Sequence, residues 1–380
     1  MTQQKQKTSP LIKVSERNYG IDLLRILSML MIVTLHVLKQ GGILDHVNAG
    51  TYRYTAAWLL EALSIGAVNI YAMISGFVGV NAKKTRFYKL ADMWLQVELY
   101  CVISAVLIYL CEGEPFEFER LFNRLAPFST NAYWYFTAYF MMFFFVPFYN
   151  RLLDSLSESA LKYLGLIIFL FSSLWPTLWQ EDLMQTNRGY SFLWLSLLYI
   201  LGGIANRLQL HKKVNGFGAV AAYAVLAAAG VLFLLASEKY HLSVKDPELL
   251  ICYYSANIVA GSFCLLLAAA KTDIKAKAPV KIIKALSPLT FGVYIIHTSE
   301  YVWRYMLKDA FAAFADMRAP VLVLAVTGTV LAIYLICSAI DGARLFLFRL
   351  LRIESRLCAA EGKLRAAIHK KKAVRNENKS

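Results

Sequence analysis

Apolar residues occur along most of the chain in blocks of about 20, separated by short polar segments. A block of that length is enough for an α-helix to cross the hydrocarbon core of a bilayer. The pattern therefore predicts an all-α, polytopic transmembrane helix bundle of about ten spans. The predicted spans are 19–40, 55–80, 89–111, 131–149, 161–179, 190–206, 216–237, 248–270, 286–307 and 319–341.

Composition and charge support this interpretation and give an orientation. Hydrophobic residues make up 58% of the 380 positions and charged residues only 17%, whereas a soluble domain is about half apolar and a quarter charged. The net charge of +15 comes from Lys and Arg between and after the apolar blocks, which indicates membrane orientation and not nucleic-acid binding. With a cytoplasmic N-terminus, the inner segments hold roughly three times as many Lys and Arg as the outer loops. We therefore expect both termini inside and a location in a bacterial plasma membrane.

The chain divides into an N-terminal cytoplasmic segment (1–18), a transmembrane domain (19–341) and a basic cytoplasmic tail (342–380). No small-residue cleavage site follows the first block, so we expect it to be a retained helix. The amphipathic stretch "RLFLFRLLRIESRL" predicts a helix on the anionic inner leaflet at the start of the tail. The six cysteines form no CxxC pair, and no metal site is expected.

The first span carries three ionisable residues on one face. Arg25 and His36 are eleven residues apart, which is close to three helical turns and about 16 Å along the axis. Asp22 lies one turn before Arg25 on the same face and is a candidate substrate contact. An arginine near the boundary can extend to the headgroups, and a histidine can simply bond a neighbouring carbonyl. Ionisable groups within spans usually face a cavity, however, so the shared face favours a functional role.

These residues belong to a wider set of motifs. Arg25 and His36 follow "RNYGIDLLR", and "MISGF" (Met73–Phe77) closes the second span before the basic loop "KKTRFYK". The stretches "YWYFTAYFMMFFFVPFYNRLL" and "ALSPLTFGVYIIHTSE" follow in order. Across nearly its whole length the chain thus resembles the integral-membrane acyltransferases of family 3, which acylate cell-surface glycans and other envelope molecules. It departs from the family at Gln96, near the place where relatives often carry a proline. We also expect no extracytoplasmic hydrolase-like domain of the kind that some relatives append.

The resemblance implies a donor, acyl-coenzyme A and most often acetyl-CoA, offered from the cytoplasm. Arg25, Ser75, Lys83 and Arg86 are the candidate donor-binding residues, because guanidinium and ammonium groups suit the nucleotide phosphates. Lys83 is equally well explained as a topology signal. Ser75 precedes Gly76, and this pair fits a close helix contact as well as a channel wall.

The candidate catalytic residues are His36, Glu61 and His297. His36 either takes the proton from an acceptor hydroxyl or accepts the acyl group itself, and the sequence does not separate these routes. Glu61 is a candidate orienting partner for His36, and its position also fits, somewhat better, an interfacial acid that faces the outer water. His297 gains standing from the resemblance of "VYIIH" to a recurring family segment. Trp134 is a candidate acceptor contact, since aromatic rings stack on sugars, although aromatic belts also explain it.

The sequence thus predicts an O-acyltransferase that acts on a surface polysaccharide or a lipid-linked sugar, alone or with a separate extracytoplasmic transferase. Besides this acceptor, membrane lipids are the expected partners, and nucleic acid is not. The alternative is a transporter or flippase of a small molecule or glycolipid. A transporter more typically shows internal repeats or paired broken helices, and neither is evident. A family member that has lost catalysis and acts as a membrane sensor is a third alternative.

Overall fold

The computed structural model describes residues 17–82, 85–242 and 244–377, and side chains up to Ile368. Within these ranges the chain is helical and contains no strand, which confirms the predicted all-α class. The first nine helices are α1 Tyr19–Leu38, α2 Ile43–His46, α3 Tyr52–Ala62, α4 Ala67–Gly79, α5 Phe87–Cys111, α6 Phe118–Arg124, α7 Trp134–Ser155, α8 Glu158–Phe169 and α9 Trp175–Trp179. The remaining helices are α10 Phe192–Arg207, α11 Leu210–Lys213, α12 Gly216–Tyr240, α13 Ala256–Lys271, α14 Lys277–Leu286, α15 Thr290–His297, α16 Ala319–Leu350 and α17 Ile353–Glu377.

The bundle has the character of a multi-pass membrane protein. In the described part of the chain, seven helical segments are long and apolar enough to cross a bilayer, and α10 and α13 are shorter apolar helices. The number of crossings and the cytoplasmic position of the N-terminus remain predictions. We name the two ends of the bundle after α1: the Asn18 face, where α1 begins, and the Gln40 face, just beyond its end.

α1 lies at the centre and packs against α3, α4, α13, α15 and α16. Its start is fixed by Asn18, whose side chain accepts a hydrogen bond from the Ile21 backbone N–H (3.0 Å) and donates one to the carbonyl of Ala270 at the end of α13 (2.8 Å). Such a cap satisfies an orphan donor of the first turn. Gly20 permits the close approach, since a Cβ there would lie 2.1 Å from the Ala269 carbonyl oxygen. The axial position of α1, and of its polar face, is therefore set by α13.

Three predicted spans are interrupted where the site is built. The span predicted at 55–80 consists of α3 and α4, which meet in a turn where Gly66 approaches Ser262 of α13. The span predicted at 286–307 stops being α-helical after His297 and continues as a π-helical segment, Val302–Leu307. The span predicted at 248–270 begins only with Ala256, because Ser255 bonds the backbone of the preceding loop.

A buried ion pair ties three helices together near the Asn18 face. Asp341 of α16 accepts two hydrogen bonds from Arg344 (3.0 and 2.7 Å), and it also accepts from Gln96 (2.8 Å) and Tyr100 (2.9 Å) of α5. A Cβ at Gly292 of α15 would lie 2.0 Å from the Asp341 carboxyl carbon. Gln96, the departure from the family pattern, therefore has a structural role: its amide satisfies a buried carboxylate.

Candidate active site

The side chains of Arg25 and His36 both line one cavity of about 240 Å³, the narrow cavity. Its walls are mostly aromatic and apolar, and its other polar lining residues include Ser75, Tyr71 and Thr290. Trp134 also contributes to the wall. The shared face predicted for α1 thus corresponds to a real cavity, which runs alongside the helix between the two residues.

A second cavity of about 690 Å³, the wide cavity, lies at the Gln40 face. Its lining includes His36, Lys39, Gln40, Glu61 and Trp303. The two cavities have five lining residues in common: Leu35, His36, Trp134, Tyr253 and Tyr294. The imidazole of His36 therefore stands where the two cavities meet.

His36 and His297 form a hydrogen-bonded pair. Nδ1 of His36 lies 2.8 Å from Nε2 of His297, and Nδ1 of His297 lies 2.5 Å from the carbonyl oxygen of Val293. A carbonyl oxygen only accepts, so His297 must carry its proton on Nδ1. In neutral His297, Nε2 is then an acceptor, and His36 donates to it from Nδ1. This assignment leaves the lone pair of His36 on Nε2, the ring nitrogen that is not engaged by His297.

Trp303 holds the other side of the His36 ring. The two rings meet edge to face with centroids 4.9 Å apart. The Gln40 side chain donates to the Trp303 carbonyl (3.0 Å), and the backbone N–H of Asp309 donates to the Gln40 carbonyl (2.9 Å). The π-helical segment is thus clamped to the end of α1. Sequence reasoning missed Trp303, and its only signal was its place within a span, six residues after His297.

At the other end of the narrow cavity, Arg25 is held by Asp22. The buried Asp22 carboxylate contacts Arg25 Nη1 (2.5 Å) and also Arg17. The hydroxyl of Tyr71 donates to the Arg25 carbonyl (2.8 Å), and Ser75 donates to the Tyr71 carbonyl (3.0 Å). Asp22, proposed from the sequence as a substrate contact, is thus placed as the ion-pair partner that orients Arg25.

The remaining sequence candidates are less closely grouped. Glu61 is buried in the wall of the wide cavity, and its Oε2 has no hydrogen-bond partner among the described residues. It shares that cavity with His36, but the hydrogen-bond partner of His36 is His297. Arg86 is exposed and immediately precedes α5, and its side chain makes no capping hydrogen bond. The neighbouring Thr85 carbonyl accepts a hydrogen bond from Arg365 of α17 (2.7 Å). Lys83 lies outside the described residues.

Gly76 provides the close helix contact considered for this motif, and Ser75 lines the cavity. A Cβ on Gly76 would lie 1.8 Å from the Tyr199 carbonyl oxygen, and one on Gly202 would lie 2.0 Å from the Met73 carbonyl oxygen. The backbones of α4 and α10 therefore touch at these two glycines. Ser75, the neighbour of Gly76, faces the narrow cavity instead. The motif serves both helix packing and the cavity wall.

Comparison with known proteins gives one result. A family model described as an acyltransferase domain matches residues 18–338, which span α1 to most of α16. No curated protein and no solved structure matches the chain. Within the described residues, no group of three or more His, Cys, Asp or Glu residues is arranged to hold a metal ion.

Proposed function

This chain belongs to the family of membrane acyltransferases whose domain model it matches, and we propose that it transfers an acyl group from cytoplasmic acyl-coenzyme A to a hydroxyl of a surface glycan. The acyl group is acetyl in the simplest case. The observation that carries the proposal is the pair of cavities meeting at His36. One cavity leads from Arg25 and suits the donor, while the other opens at the Gln40 face and suits the acceptor.

The donor enters at the Asn18 face. Arg25 lies there at the start of the narrow cavity and provides a guanidinium fork for a phosphate of the coenzyme. Arg86 and Lys83 add positive charge to the loop that the sequence places on the same side. The flexible arm of coenzyme A is comparable in length to the 16 Å or so that separate Arg25 from His36 along the helix. A thioester held in this way has its carbonyl beside the imidazole.

His36 then supplies the acid–base chemistry. Its Nε2 lone pair accepts the proton of the acceptor hydroxyl while the hydroxyl oxygen attacks the thioester carbonyl. The carbon–sulfur bond breaks, and the imidazolium returns the proton to the leaving thiolate, so that free coenzyme A and an ester are formed. His297 remains hydrogen-bonded to Nδ1 of His36 throughout, so that Nε2 is the atom that takes up the proton and returns it. The same lone pair also serves the second route, in which His36 carries the acyl group as an acyl-imidazole.

The acyl-transfer reaction is tested directly with purified protein in nanodiscs. Incubation with acetyl-CoA labelled in the acetyl group, together with a glycan extract of the cell envelope, is expected to place label on the glycan in an alkali-labile ester. The free thiol of coenzyme A should appear in equal amount. Transport of an unmodified glycolipid across vesicles, without thiol release, would instead support the transporter alternative.

Substitution of His297 tests the tautomer assignment. His297→Leu removes the acceptor at Nε2, and we expect kcat to fall by about 100-fold or more, within the range typical of general acid–base catalysis. His297→Gln restores a side-chain oxygen in that region and should recover most of the lost rate. Steady-state thiol release measures kcat, and a thermal unfolding scan checks that both variants are folded. Equal rates for the folded leucine and wild-type proteins would contradict the assignment.

A further inference from the structure

A third cavity, also of about 690 Å³, adjoins the wide cavity at the Gln40 face; we call it the arginine cavity. It lies between the end of α5, helix α6, the start of α7 and the segment after His297. Ala132, Thr298 and Trp303 line both cavities. Since Trp303 also contacts His36, the arginine cavity is one side chain away from the proposed reacting centre.

The wall of this cavity presents three guanidinium groups and two carboxylates: Arg120, Arg124, Arg304, Glu114 and Glu300. The central group is Arg124, which bonds Glu300 (3.0 Å) and Glu114 (2.8 Å) and stacks over the ring of Tyr109. Hydrogen bonds from Tyr305 and Arg124 hold the pKa of Glu114 below its usual value, so this carboxyl stays ionised. Glu300 is shared, since Arg304 also contacts it (3.2 Å). Each carboxylate thus divides its charge between two arginines.

Some guanidinium N–H groups of this network make no hydrogen bond within the described residues. The Arg124 side chain is only 8% exposed, and its Nη1 has no hydrogen-bond partner among the described residues. A buried donor of this kind carries an energetic cost, but the Nη1 atom is closed to solvent, so the guanidinium groups that a ligand reaches directly are those of Arg304 and Arg120. Arg304 is 62% exposed and accessible, and Arg120 is half exposed, although Arg120 also contacts Glu117 outside the cavity wall. Planar guanidinium groups of this kind bind carboxylate and phosphate with two parallel hydrogen bonds.

The backbone of this region supports a binding role. Arg304 and Trp303 both belong to the π-helical segment Val302–Leu307, and such segments occur frequently at functional sites. Consecutive residues here connect the two sites: Trp303 packs against His36 and also lines the arginine cavity, and Arg304 lies in the wall of the same cavity. A group bound at Arg304 is therefore separated from the His36 imidazole by the side chain of Trp303.

We infer that the arginine cavity binds an anionic group, a carboxylate or phosphate, of the acceptor glycan, so that the acceptor is an acidic sugar polymer and not a neutral one. The inference rests on the proposed function, because it assumes that the acceptor reaches His36 from the Gln40 face. Anchoring of a charged sugar at Arg124 and Arg304 holds a neighbouring residue of the polymer in the wide cavity, with a hydroxyl towards His36.

A binding experiment without acyl donor tests this inference separately from catalysis. The probes are tetragalacturonate and the same tetramer with its carboxyl groups reduced, titrated by calorimetry into protein in phosphatidylcholine nanodiscs. We expect the acidic tetramer to bind at least about tenfold more tightly, the effect of one charged hydrogen bond. Arg124→Gln should abolish that preference. Arg304→Gln should reduce it, and this variant removes a more exposed side chain in case the first does not fold.

The matched control is Arg53→Gln, which removes an arginine that bonds the Asp316 carbonyl (3.1 Å) and lines none of the three cavities described here. It should leave the preference unchanged. Equal affinity for the two tetramers, no binding of either, or the same loss in Arg53→Gln would overturn the inference. The same titration in phosphatidylglycerol nanodiscs distinguishes a glycan from a lipid as the source of the anion. If the acidic tetramer loses its advantage only in these anionic nanodiscs, the cavity binds lipid headgroups and the inference is overturned. If the wild-type protein binds the acidic tetramer more tightly but transfers no acyl group, the proposed function is contradicted and the inference about the arginine cavity is not.

Discussion

The variant His36→Ala is expected to lose acyl transfer by a factor of about 10² to 10⁴ while remaining folded, because it removes the group that accepts and returns the proton. The side chain sits where the two cavities meet, and in the structure its ring contacts are to His297 and Trp303. Its removal enlarges an existing cavity and breaks one side-chain hydrogen bond, the one to His297. Thiol release from acetyl-CoA and label on the glycan measure the effect.

A matched control for this variant is His46→Ala. His46 is also near the Gln40 face, but it is exposed, and among the described residues its side chain bonds only the Gly42 carbonyl (2.6 Å) of its own turn. Its replacement should leave the rate within about twofold of wild type, as for most surface changes. Wild-type turnover in folded His36→Ala would eliminate both roles proposed for this residue.

The same protein separates the two routes through His36. A brief reaction with labelled acetyl-CoA in the absence of glycan, followed by rapid denaturation, should leave hydroxylamine-sensitive label on wild-type protein if an acyl-imidazole forms. His36→Ala should then carry none. Absence of label on a catalytically competent wild-type sample would favour direct transfer to the acceptor hydroxyl.

Gly76→Ala is expected to prevent normal folding, with a cost of about 3 kcal/mol or more, at the upper end of the usual range for overpacking. The added methyl group would lie 1.8 Å from the Tyr199 carbonyl oxygen, and Gly202→Ala meets the Met73 carbonyl oxygen in the same way. Both obstacles are backbone atoms of packed helices, so α4 and α10 must move apart. Size-exclusion profiles in detergent and thermal unfolding scans should show aggregated or strongly destabilised protein.

Gly328→Ala in α16 is the control for these glycines, since a Cβ there meets no atom within 4 Å. Removal of a helical glycine at an open position is expected to be neutral or slightly stabilising. If Gly76→Ala gave the same thermal transition as Gly328→Ala, the close backbone contact between α4 and α10 would be refuted.

The features that sequence predicted well are those carried by local periodicity. Apolar blocks predict helices because each span must satisfy its own backbone hydrogen bonds in lipid. The eleven-residue separation of Arg25 and His36 predicts a common face because helical geometry fixes it. Both expectations hold in the structure, where the two side chains line the narrow cavity. The assignment to the acyltransferase family is likewise confirmed.

The features that sequence could not predict depend on breaks in the helices and on contacts between distant segments. The sequence suggests Glu61 as the orienting partner of His36 and His297 as a separate catalytic candidate, and no spacing along the chain links His297 to His36. The α-helix that ends at His297 and the π-helical turn after it bring His297 and Trp303 onto the same imidazole. Arg124 at the end of α6 pairs with Glu300, 176 residues further along the chain, and with Glu114 of the loop after α5.

The sequence by itself determined the helical class and the polar face of α1, because hydrophobic length and the 3.6-residue repeat act within one helix. Only the tertiary structure decided which groups of other segments meet that face: the His297 imidazole behind His36 and the arginines beyond Trp303. These contacts arise from the packing of segments up to 261 residues apart along the chain, and that packing is set by backbone approaches such as those of Gly20 and Gly76. Local sequence pattern carries no record of such distances.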